Sequence, residues 1–144
     1  MGNVRKPKAD VRPKPPEDRA REFLISNPIR GYHFTEKRTG DGDGFDIWCR
    51  RTRGKRFKVE IKATDMAYAP SRQSDIRKQL YFSREQEISL FQAGKLKVVR
   101  VFMGGPSPRV LMFDISIQQG RPLEREPRAY LKGRLDYAKV QHLV

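Results

Sequence analysis

The stretch 44–64, GFDIWCRRTRGKRFKVEIKAT, limits the fold more than any other part of the chain. Side chains on a strand alternate between its two faces. Phe45, Ile47 and Cys49 alternate inward on the first arm, and Phe57, Val59, Ile61 and Ala63 do so on the second. Two such arms, 45–51 and 55–63, predict a β-hairpin. A three-residue loop, Thr52-Arg53-Gly54, would join them, with Gly54 in the left-handed position such loops need. Arg51 then pairs with Lys55. Counting back places Asp46 directly across from Glu60, and Lys62 shares their face.

Two carboxylates opposed on a sheet repel, with Cβ atoms about 4.5–5.5 Å apart. A cation between them removes that cost. Mg²⁺ takes hard oxygen ligands, one or two of them carboxylates, along with water and substrate phosphate. An ammonium at Lys62 could orient the attacking water or stabilise charge developing on phosphate. The hairpin therefore reads as a site for metal-assisted phosphodiester hydrolysis. In a chain that is 33% charged, the same residues also read as an ion-paired, solvated strand face.

The partner expected for such a chain is a polyanion. Its 144 residues carry a formal charge of +14, which points to nucleic acid first. Arg50, Arg51, Arg53, Lys55, Arg56 and Lys58 crowd the hairpin, and Arg72, Arg77 and Lys78 form a second basic segment suited to a DNA backbone. No apolar run approaches the roughly 20 residues of a membrane span, and no apolar stretch follows the basic N-terminus as in a secretory signal. Cys49 is the one cysteine, so the chain has no internal disulfide and fits a reducing, cytoplasmic setting. Cys49 should face the core and be inert, and His33 reads as structural. Trp48 shares the face of Asp46 and reads as cover for the sheet, with base stacking as its other use.

Residues 1–16 hold four prolines and five Lys/Arg and read as a disordered basic arm. PEDRAREFLISN (16–27) has helix punctuation at both ends, and GYHFTEKR (31–38) suits a first strand. After the hairpin comes a loop, with a short extended stretch near 80–82. Ser83 and Gln86 form a capping box for a helix ended by Gly94. LKVVRVFMG (96–104) reads as a buried central strand and VLMFDISI (110–117) as another. A basic extension, 118–144, has a possible short helix near 128–140. The predicted class is α/β, an αβββαβ core with a central mixed sheet of four or five strands flanked by helices, over 17–117.

GFDIWCRR…KRFKVEIKAT resembles the core motif of the PD-(D/E)XK nuclease superfamily, and the element order from Pro16 to Ile117 is similar to that superfamily's core. The resemblance implies Asp46 and Glu60 as metal ligands, Lys62 as the catalytic lysine and the Ile61 carbonyl as a further ligand. Thr64 also fits the pattern. It implies an acid on the first helix facing the site, with Glu17 the choice and Glu22 the alternative. The expected enzyme is an Mg²⁺-dependent endonuclease, with Mn²⁺ as a substitute, acting on DNA, and a homodimer would suit the cutting of both strands. The competing expectation is a non-catalytic, basic nucleic-acid-binding module in which the carboxylates pair with Lys62 and nearby arginines.

Overall fold

The computed structural model describes residues 14–68, 79–82, 84–115, 124–125, 131–134 and 141–143. Most of the basic arm, Arg72, Arg77, Lys78 and the Ser83 cap lie outside them.

Helix α1 (Pro16–Ser26) opens on a proline, whose missing N–H costs nothing in a first turn. It ends where the Asn27 side chain donates to the Phe23 carbonyl, 2.7 Å away. Then come β1 (Tyr32–Glu36), β2 (Ile47–Arg51), β3 (Arg56–Thr64) and β4 (Gln79–Tyr81). Helix α2 (Glu85–Gln92) stops at Gly94, which has φ +75°. Strands β5 (Leu96–Phe102), β6 (Arg109–Phe113), β7 (Glu124–Arg125), β8 (Leu131–Arg134) and β9 (Gln141–His142) complete the order.

One mixed sheet runs β1-β2-β3-β5-β6-β9. Among the described residues only β3 and β5 pair in parallel, Glu60 beside Val98 and Lys62 beside Arg100. A parallel neighbour needs a crossover, and α2 lies within it. A small second sheet, β4-β8-β7, stands apart. The predicted α/β class holds, with β9 adding a sixth strand at the edge beyond β6.

The core has two halves, one on each face of the main sheet. Ala20 and Leu24 of α1 pack with Ile47, Cys49, Val59, Ile61, Val99 and Val101. Ile88 and Phe91 of α2 pack on the other face with Phe82, Val98, Phe102, Leu111 and Phe113. β5 supplies both halves, hence its near-continuous apolar run. Gly104 locks the end of β5 to the loop after β3. A Cβ there would lie 2.5 Å from the Asp65 carbonyl oxygen and 2.7 Å from the Ala67 nitrogen. No helix among the described residues is long and apolar enough to cross a membrane.

Three expectations need correction. The hairpin register holds, Ile47 against Val59 and Arg50 against Arg56. Its turn differs, because Gly54 does not have positive φ. Its N–H instead donates to the Arg51 carbonyl at 3.0 Å, closing a β-turn that keeps the same pairing. Phe45 does not join Ile47 and Cys49 but packs in the opposite half of the core. Residues 131–134 form β8 rather than part of a helix. The basic extension 118–144 contributes to the main sheet and its core: β9 pairs with β6, and Leu143 is buried beside Met112 and Val110.

Candidate active site

The reason for the Phe45 switch is a bulge at Asp46. A regular ladder would set Asp46 against Glu60, but its N–H donates to the Val59 carbonyl at 2.8 Å. One extra residue in a strand bends it and re-aims a side chain. The Asp46 carboxylate swings toward β3, where Oδ2 accepts the Ile61 N–H at 2.7 Å. A strand residue's N–H and C=O point to the same neighbour, so the Ile61 carbonyl faces this side too.

Glu60 sits beside Asp46 and is only 6% exposed. Burial first, and the Asp46 carboxylate second, push its carboxyl up to about 8, against the opposing pull of Lys62. Lys62 Nζ lies 3.3 Å from Glu60 Oε2 and 3.9 Å from Glu87 Oε1. Its ammonium also stands 5.6 Å from the centre of the Phe82 ring. Three residues of one β3 segment, Glu60 to Lys62, thus meet Asp46, which immediately precedes β2, at the middle of the sheet.

Two members of this cluster were missed in the sequence. Glu87, in the first turn of α2, is 5% exposed. Burial pushes its carboxyl up, while Lys62 and Arg84 pull the other way. Its spacing held a signal: Glu87 precedes Leu90 and Phe91 by three and four residues, so a charge interrupts the apolar side of the helix. Arg21 of α1 is the second, with Nη2 at 3.9 Å from Asp46 Oδ1 and Nε at 3.9 Å from Glu36 Oε1. It lies next to Ala20 and three residues before Leu24, on the rim of the buried stripe.

The α2 turn carrying Glu87 is held by close packing against the loop before β2. Gly44 has φ +90°, and a Cβ there would come within 3.0 Å of Gln86 Cβ. A side chain at 44 would press on Gln86 and Leu90 of α2.

Of the two helix-borne candidates, Glu17 lies toward the site. It is exposed, yet near enough that its charge contributes to raising Glu87. Glu22 is turned away and pairs with Lys14. The basic residues divide. Arg50, Arg51, Arg53, Lys55 and Arg56 are all exposed at the far end of the hairpin. At about 3.3 Å per residue, Arg51 stands roughly 16 Å from Asp46, so the tip does not ring the carboxylates. Trp48 packs edge-on against Phe45, ring centres 4.7 Å apart, as the covering reading expects. Cys49 is buried, and burial pushes its thiol up to about 12. His33 is exposed on β1.

No group of three or more His, Cys, Asp or Glu among the described residues is arranged to hold a metal ion. The donor set is smaller: two carboxylates, Asp46 and Glu60, and the Ile61 carbonyl. All are hard oxygens of the kind that bind Mg²⁺ together with water. A carboxylate buried against another carboxylate suits such an ion, because a cation offsets both the burial and the repulsion.

Comparison with protein-family models, curated proteins and solved structures gave no match to this chain.

Proposed function

We propose that this chain is a metal-dependent nuclease that hydrolyses phosphodiester bonds in DNA, in the manner of the PD-(D/E)XK enzymes its motif resembles. The observation that carries the reading is Glu60. It is a buried carboxylate set beside Asp46, with Lys62 3.3 Å away, on the central strand of a basic protein. Asp46, Glu60 and the Ile61 carbonyl would hold Mg²⁺ or Mn²⁺. Such an ion, when bound, polarises the phosphoryl group and makes the attacking water more acidic. Lys62 donates hydrogen bonds as negative charge develops on the phosphoryl oxygens. Glu87 holds the Lys62 ammonium together with Glu60. Arg21 fixes the Asp46 carboxylate and faces incoming phosphate. Hydrolysis forms the bond from water oxygen to phosphorus and breaks the bond to one ester oxygen, which leaves with a proton. Each site serves one strand, so cutting a duplex would call for two copies.

A second reading has its own observation. Lys62 and Arg21 already stand beside the two carboxylates, as they would in a binding module that uses charge alone. The test is cleavage of plasmid, single-stranded and branched DNA with Mg²⁺ or Mn²⁺ against EDTA, comparing the wild type with Glu60→Gln and Lys62→Ala. Metal-dependent cleavage lost in both variants, with DNA binding retained, supports the nuclease. Tight, metal-indifferent binding without cleavage on any substrate supports the module.

A further inference from the structure

On the same face of the sheet as Glu60 and Lys62 lies a cavity of about 570 Å³ lined by Thr35, Glu36, Arg38, Asp41, Trp48 and Arg56. That volume falls in the range of small-molecule sites. Thr35 pairs with Trp48 across β1 and β2, so both line the cavity from one face. Trp48 is two residues beyond Asp46, roughly 7 Å along the strand.

The indole forms a fixed wall. Its Nε1–H donates to Asp41 Oδ2 at 2.6 Å, and that oxygen also accepts the Arg38 backbone N–H at 2.9 Å. Phe45 packs against it edge-on. The Arg56 guanidinium stands over the ring, 3.8 Å from its centre. The carboxylates of the cavity are engaged, Asp41 by these two N–H donors and Glu36 by Arg21. Arg38 and Arg56 make no close ion pair among the described residues, though after the Trp48 and Arg38 N–H bonds both guanidiniums help draw the Asp41 carboxyl below its ordinary value. Two guanidiniums and the Thr35 hydroxyl therefore face a polar cavity backed by an immobilised aromatic wall.

A ligand that meets all of these has an anion for the guanidiniums and a flat face for Arg56 on Trp48. Nucleic-acid bases stack on aromatic rings and on arginine planes, and such stacking requires an unpaired base. We infer that this cavity binds one unpaired nucleotide, phosphate toward Arg38 and base against Arg56 and Trp48, of the strand whose backbone enters the carboxylate site. The inference rests on the nuclease reading for its direction, and it names the substrate: a strand with at least one unpaired nucleotide beside the cut.

Trp48 is the one tryptophan in the chain, so intrinsic fluorescence reports on this cavity directly. The full chain in EDTA would be titrated with a single-stranded oligothymidylate of about eight nucleotides. The same length as blunt duplex and thymidine monophosphate are the comparisons. The expected result is a change in Trp48 emission with the single strand. Affinity should fall about tenfold in Arg38→Ala and in Arg56→Ala, measured by anisotropy of a labelled strand, with circular dichroism unchanged. Glu60→Gln should bind the strand at least as well as the wild type. No emission change with the single strand, equal affinity for the duplex, or unaltered affinity in both arginine variants overturns the inference. Because EDTA removes cleavage, the two readings separate. Emission change without metal-dependent cleavage would sink the nuclease alone, and cleavage without emission change would sink the nucleotide site alone.

Discussion

Glu60 ties stability to pH in a direction unusual for a carboxylate. Its carboxyl is raised from 4.5 to about 8, so the fold favours the protonated form. That contribution is fully present below the unfolded value and is lost as pH rises through the folded one. Without a divalent ion, stability should therefore fall between about pH 5 and pH 9, by an amount on the order of a few kcal/mol. Urea denaturation in EDTA at the two pH values checks this. Glu60→Gln should flatten the profile and be the more stable protein at pH 9, and Mg²⁺ should restore the wild type there. Glu87 acts on the same site through Lys62. Glu87→Gln should fold normally but lower metal-dependent cleavage about 10- to 100-fold, as loss of a group supporting a metal site does. Glu60 and Lys62 were legible because strand alternation assigns their face, and Asp46 because the hairpin register brings it to Glu60, although the bulge that re-aims it was not. Glu87 and Arg21 were not, because only the packing of two helices on opposite faces brings them to the same place.

At the scale of elements, the hairpin register could be read from the length of its turn, while the bulge at Asp46 could not. Nothing local marks an extra residue where both Phe45 and Ile47 are apolar and both end buried, on opposite faces. The short strands were also illegible. β7, β8 and β9 have two to four residues each, too few for any period to show. The glycine contacts give a test at this scale. Gly104→Ala should destabilise by about 2–4 kcal/mol, since the Asp65–Ala67 backbone would have to move. Gly44→Ala should cost about 1–2 kcal/mol for its left-handed backbone alone. It should also reduce cleavage, since the turn bearing Glu87 rests on it. Chemical denaturation and the cleavage assay, run on the same samples, separate the two effects.

For the whole molecule, the fold class followed from element order, but the role of the C-terminal stretch did not. Leu143 belongs to the core, so Leu143→Ala should cost about 2–4 kcal/mol by urea denaturation. A true appendage would tolerate the change. On the proposed nucleic-acid reading, the phosphate contacts made by this basic surface set the dependence on salt. Duplex affinity should fall linearly with the logarithm of salt concentration, and each phosphate contact removed should lower the slope by about one. Arg53→Ala at the hairpin tip is the variant to compare.

The parallel pairing of β3 with β5 also sets an order of assembly. Asp46, Glu60 and Lys62 come together within a single hairpin, whose ends close a short loop. Glu87 arrives only when the crossover after β3 has been laid down and docked. Short loops close at lower entropic cost than long ones, and contacts close in sequence form faster. In a chain still emerging from the ribosome, the acidic pair and its lysine are therefore in place before the group that steadies the lysine. On the proposed nuclease reading, the site is therefore completed by a late contact, that of Glu87 with Lys62.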